Sequence, residues 1–312
     1  MFALRGIAVS LTFFVVLYCL LSLIVVSSWR VVNLLRGISA HAQASLLFWT
    51  RVFPLLAAGL ITLVFAVPSF IIFEPRSIDE DIALPLVLGL GCLLLFALGI
   101  YRVIAAQRKA THVIAGWLRG ATVVDAGVNM PTFCTSRGTP PLTLVGVRSP
   151  RVVVSGTTVA LLSSDELRVA VRHEVAHMRS RDNLKKLAFH CSPFPGMAGL
   201  ESAWHEAAEL AADDGAVASL SDALDLAAAL IKLSRLLPVG NAPAFTMTLV
   251  GSPGSVTSRV ERLLAWNRLR PHAVQTRWHY AAPVALAAIV CAAAVYSPAL
   301  AQTHRITEWL VR

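Results

Sequence analysis

The sequence predicts a mainly α-helical membrane protein: four transmembrane helices, with an α+β domain inserted between the third and the fourth. Three observations predict it. Charged residues make up 14% of the 312-residue chain, against about 25% in soluble proteins, and the shortfall is concentrated in a few long apolar runs. Short β-branched runs separated by Gly, Pro and Ser follow the third of these. Apolar residues at helical spacing then recur through much of the remainder.

Residues 7–26 form an apolar run without a charge, long enough to cross a bilayer. Arg5 precedes it, as in a signal peptide. The run exceeds a usual signal core and no small-residue cleavage site clearly follows, so an uncleaved span is expected. Residues 28–51 carry Arg30, Arg36 and Arg51 and no acid. Trp29, Val32, Leu35 and Ile38 fall there at helical spacing, as in a segment lying partly in the interface. The second and third spans are expected at about 52–73 and 82–104. Pro54, Pro68 and Pro85 sit near span ends, where they are tolerated. Between these spans, Glu74–Asp81 is short and acidic. The fourth span is expected at about 281–300.

Basic residues set the orientation. The first loop is basic, and Arg102, Arg108, Lys109 and Arg119 lie at or beyond the end of the third span. The N-terminus, the acidic loop and the C-terminus are therefore expected outside, and the inserted domain in the cytoplasm, of a bacterial-type inner membrane. The expected organisation is residues 1–104 as a membrane region, 105–280 as the cytoplasmic domain, and 281–312 as the last span and tail. The formal charge of +9 is explained by those inner basic residues. No zinc-finger spacing and no basic run interleaved with aromatics supports direct nucleic-acid binding. The five cysteines include no C-x-x-C pair, which fits a reducing compartment.

Within the inserted domain, Ala121–Asp125, Leu142–Val147 and Arg151–Val154 read as strands. Ser163 or Ser164 can cap a helix whose first turn holds Asp165 and Glu166. Leu167, Ala170, Val171 and Val175 give that helix an apolar face. Ser192–Gly196 breaks the chain. Helices are expected from about Gly199 to Leu220, Asp222 to Leu237 and Val256 to Leu269, with Asn241–Ser255 largely loop.

The capped helix carries the chemistry. His173-Glu174-Val175-Ala176-His177 reads H-E-x-x-H. Two histidines four apart project from one helical face, so their imidazoles can share one tetrahedral Zn²⁺. Glu174 beside them can take a proton from a water on that metal. A catalytic zinc needs a third ligand. Glu206, Glu209 and Asp213 lie one turn apart along the next helix. With Glu209 as ligand, Asp213 can hydrogen-bond a zinc-bound histidine and fix its tautomer. These acids could equally form a solvated helix face, a reading that suits Glu206 better than Glu209.

H-E-x-x-H, Glu209-Leu210-Ala211-Ala212-Asp213-Asp214 and Arg181-Asp182-Asn183 together resemble the membrane-embedded gluzincin metallopeptidases. Three spans, an inner zinc domain and a fourth span are most similar to the beta-lactam sensor-transducer (antirepressor) peptidases. Leu162–Leu167, Phe189–Phe194 and Arg259–Leu264 resemble that family's signatures as well. Those proteins carry a penicillin-binding sensor domain after the fourth span, a domain not expected here. The resemblance implies a zincin-like fold, Zn²⁺ on His173, His177 and Glu209, and Glu174 as general base. It implies a protein substrate, such as a cytosolic transcriptional repressor, cut beside the lipid bilayer in signal transduction. It also implies that a substrate strand pairs with an edge strand, for which Arg151–Val154 is the candidate. His190 and His205 are open candidates for stabilising the oxyanion, against the plainer roles of structural or solvated histidines. The alternatives are a membrane quality-control protease of the heat-shock type and a catalytically silent receptor or scaffold.

Overall fold

A computed structural model describes residues 2–33, 38–74, 83–135, 139–147, 149–192, 194–236, 246–248, 253–266, 296 and 298–307. The chain divides into two compact units. One comprises Met1–Ser28, Thr50–Leu98 and Pro271–Arg312, the other Trp29–Trp49 and Gly99–Arg270.

Three helical stretches are long and apolar enough to cross a membrane: Phe2–Arg30, Ala40–Phe73 and Ala83–Leu118. The first lies in α1 (Phe2–Asn33). The second begins at Ala40, well before the expected start at 52, and joins α2 (Ala40–Ile61), a π-helical turn (Thr62–Ala66) and α3 (Val67–Phe73). The third is α4 (Ala83–Leu118), which runs past the expected end at 104. These helices turn large apolar side chains outward: Leu63 is 69% and Leu94 70% exposed. That is the reverse of a soluble core and matches a hydrocarbon solvent. Their buried contacts include polar ones. The Thr12 hydroxyl reaches the carbonyls of Ala8 and Pro85, and Arg5 pairs with Glu74. Pro68 has no N–H for the carbonyl of Val64, and the Tyr296 hydroxyl donates to that carbonyl at 3.0 Å. Apart from Tyr296 and 298–300, the expected fourth span lies outside the described residues; residues 298–307 are helical. The acidic loop beyond Glu74 lies outside them too.

The second unit is built on a five-stranded sheet of order β1-β2-β4-β3-β5. Its strands are β1 (Thr122–Val124), β2 (Thr132–Thr135), β3 (Leu142–Val145), β4 (Arg151–Ser155) and β5 (Thr246–Thr248). β2 was not expected, and β5 falls within an expected loop. The expected edge strand is corrected: β4 is central, parallel to β2 and antiparallel to β3. Both of its backbone edges are therefore occupied, and it has none to offer a peptide. β3 in turn pairs antiparallel with β5, Leu144 opposite Met247. β3 is buried along its whole length, and so are Val152, Val153 and Val154 of β4. Two-sided burial explains the continuous apolar run of β4.

Helices α5 (Gly156–Leu161), α6 (Ser164–Arg179), α7 (Asp182–Cys191), α8 (Ala198–Ala216), α9 (Leu220–Ser234) and α10 (Pro253–Leu264) follow. α6 starts with a capping box. The Glu166 N–H donates to Ser163 Oγ at 3.2 Å, and the Ser163 N–H donates to the Glu166 carboxylate at 2.8 Å. Its apolar face, with Val169, Ala170 and Val171, joins Val152 and Val154 of the sheet in the core, along with Leu226 and Leu230 of α9. α6 thus lies across the centre of the unit, with rigid neighbours around it. That is what a pair of metal-binding side chains needs from its scaffold.

Candidate metal centre

Helical periodicity puts His173 and His177 one turn apart on α6, and both are fully buried. Their Nε2 atoms are 3.1 Å apart. Glu209 reaches them from α8: one carboxylate oxygen is 3.5 Å from Nε2 of His173, and the other is 3.5 Å from Nε2 of His177. Donors held about 2.0–2.1 Å from a tetrahedral zinc would lie about 3.3 Å from one another. The three separations match that spacing, so the donor set fits a divalent cation.

The far side of each ring supports the same reading. Nδ1 of His177 is 2.8 Å from a carboxylate oxygen of Asp182. Nδ1 of His173 is 3.0 Å from Asp213, off the line of a well-formed hydrogen bond. A carboxylate on Nδ1 holds the proton there and turns the Nε2 lone pair inward. Both carboxylate oxygens of Glu174 are buried without a well-formed hydrogen bond among the described residues. Leu144 offers it a backbone contact; a buried carboxylate with so few partners is costly, unless a water on a cation beside it supplies more.

A sharp turn makes this geometry. Ser180 caps the end of α6, and Arg181 adopts φ 55°, ψ 39°, a left-handed conformation. Non-glycine residues there cost roughly 1–2 kcal/mol. The turn folds Asp182 back under His177. Asn183 then fastens α7 to the sheet, donating to the carbonyls of Gly146 at 2.9 Å and Leu144 at 3.4 Å.

Arg259 of α10 carries a role not anticipated from the sequence. It is 2% exposed. Its Nε and Nη2 donate to the two oxygens of Asp213 at 2.8 and 2.6 Å, and its Nη1 donates to Glu209 at 2.8 Å. Burial alone would push the Glu209 carboxyl up; the Arg259 guanidinium, then His177, hold it well below the usual range. Asp213 is depressed as well, with burial opposing and Arg259 prevailing.

Burial pushes Glu174 up to about 7, against the opposing pull of the two histidines. For His177, burial favours the neutral ring. Glu209, then Asp182, outweigh it and raise the imidazole to about 10. A cation on Nε2 must displace that proton. Near pH 8, above the Glu174 value and below that of His177, metal loading is therefore expected to release about one proton per site. An indicator in weak buffer reads it, and the His177 share of the release should shrink as the pH rises past about 10, where that ring is losing its proton already. Loading without release near pH 8 would show a ring already neutral.

His190 is exposed on α7. His205 lies one turn before Glu209. It is exposed as well, yet desolvation, then Lys186, pulls its imidazole down to about 4. Lys186, one turn beyond Asp182, is drawn down to about 8 by burial, against the carboxylates of Glu209, Asp182 and Glu174.

The model of peptidase family M48 matches residues 144–308, more than half of the chain. The chain belongs to peptidase family M48. It is a membrane metallopeptidase, and the candidate metal site of two histidines and a glutamate lies within the M48 match. No curated protein matches the chain. The M48 match begins at Leu144 in β3, so it takes in the strands beside α6 and leaves out β1 and β2.

Proposed function

We propose that the chain is a zinc-dependent endopeptidase that cuts a cytosolic or membrane-proximal regulatory protein, such as a transcriptional repressor. The observation that carries the chemistry is the convergence of His173, His177 and Glu209 beside the buried carboxylate of Glu174. Nε2 of each histidine and the Glu209 carboxylate would hold Zn²⁺, with Asp182 and Asp213 orienting the rings. When bound, zinc supplies Lewis acidity to a water and to the scissile carbonyl. Glu174 takes the proton of the attacking water and passes it to the leaving amine. Its raised pKa suits both halves of that transfer. In this reading residues 105–280 work as the cytoplasmic domain, as the basic residues flanking the spans favour. The sensor-transducer likeness supports a regulatory substrate.

A trap tests the substrate. Glu174→Gln in the full-length chain, cross-linked in cells and purified, is expected to retain one regulatory protein that the wild type releases in pieces. Recovery of many unrelated damaged membrane proteins would replace this reading with quality control. Wild-type protein without stoichiometric zinc would remove the enzymatic reading altogether.

A further inference from the structure

We propose that Arg259 is a positioning residue for the metal centre. Its planar guanidinium spans Glu209 and Asp213, and so fixes both the carboxylate that faces the imidazoles and the partner of His173. The inference rests on the zinc reading above.

Three observations carry it. The fork uses both faces of its geometry: Nε and Nη2 close on the two oxygens of Asp213, while Nη1 takes one oxygen of Glu209. Glu209 keeps its two oxygens divided, one toward each imidazole, and the oxygen nearest His173 is the one that Arg259 grips. Asp213, the other residue in the fork, is the neighbour of His173 Nδ1. One side chain from α10 therefore touches the surroundings of two of the three proposed ligands. A fixed fork suits this task, because a carboxylate on a long side chain otherwise samples several rotamers. A lysine could reach either carboxylate, but a single ammonium cannot set the angle between them.

Charge and orientation predict opposite signs, which makes the proposal sharp. A guanidinium beside a divalent cation repels it. If charge were the whole effect, removing Arg259 would tighten metal binding. If orientation dominates, removal weakens it.

The test uses the full-length protein in detergent, with zinc affinity measured by chelator competition and Co²⁺ absorption reporting coordination geometry. Arg259→Lys keeps the charge and loses the fork. It is expected to bind zinc about 10–100-fold more weakly, the usual effect of losing a partner behind a ligand, with an altered cobalt spectrum. Arg259→Met is expected to weaken binding at least as much. Combining Arg259→Lys with Asp213→Asn should cost less than the sum of the two, because both act through one contact. Arg259→Lys carries the test alone if the methionine variant does not fold. Wild-type affinity and spectrum in Arg259→Lys would overturn the proposal. So would tighter binding in Arg259→Met, or strict additivity with Asp213→Asn. A wild-type protein that binds no zinc would instead overturn the function on which the inference stands.

Discussion

Glu174→Gln is expected to lower peptidase activity by about 10²–10⁴-fold, the range of a general acid–base contribution. Zinc content should stay at the wild-type level, since Glu174 is not among the convergent donors His173, His177 and Glu209. The amide fills nearly the same space as the carboxylate but cannot accept a proton. Turnover of a cleavable peptide and metal analysis on one preparation check both halves. Two carboxylate oxygens are buried here without a well-formed bond. The variant is accordingly expected to fold at least as well as the parent, because it no longer hides a carboxylate with few hydrogen-bond partners. Full activity in Glu174→Gln would assign the proton to another group, and Lys186 and His205 are the titratable neighbours to examine next.

His177→Ala is expected to remove the metal rather than slow the reaction. One of three donors disappears, so zinc affinity should fall by more than the roughly 10–100-fold that loss of an outer partner costs. Asp182→Asn, which touches only Nδ1 of the same ring, gives that smaller loss and serves as the internal comparison. Thermal unfolding separates the two. Zinc at about 100 times its dissociation constant adds about 2.7 kcal/mol to a folded protein that binds it. The wild type should therefore melt higher with zinc, Asp182→Asn should do so at higher zinc concentrations, and His177→Ala should not respond. A zinc-dependent rise in His177→Ala would place the metal elsewhere.

The proposed ligands were legible in the sequence because they obey helical arithmetic. His173 and His177 are one turn apart, and Glu209 and Asp213 are one turn apart on the next long helix. Ser163 and Glu166 announced the start of α6 by the same local logic. The long apolar runs announced membrane helices, although α2 begins earlier and α4 ends later than hydropathy alone suggests. What was not legible depends on contacts between distant segments. Arg259 lies 50 residues from Glu209, and only the packing of α10 joins them. Asp182 stood in plain view beside the motif. Its contact with His177 needs Arg181 in a left-handed turn, and an arginine gives no hint of that where a glycine would. The centrality of β4 rests on its parallel pairing with β2. β2 itself is the short mixed run Thr132-Phe133-Cys134-Thr135, whose local signal is weak.

Glu209 and Asp213 are brought into the interior together on α8, and the counter-charge for both arrives from α10. A ribosome delivers α8 well before α10. Until the later helix emerges, the two acids have the imidazoles of His173 and His177, but not the guanidinium of Arg259, to offset their charge. The proposed metal centre is therefore completed by almost the last piece of its unit to be synthesised.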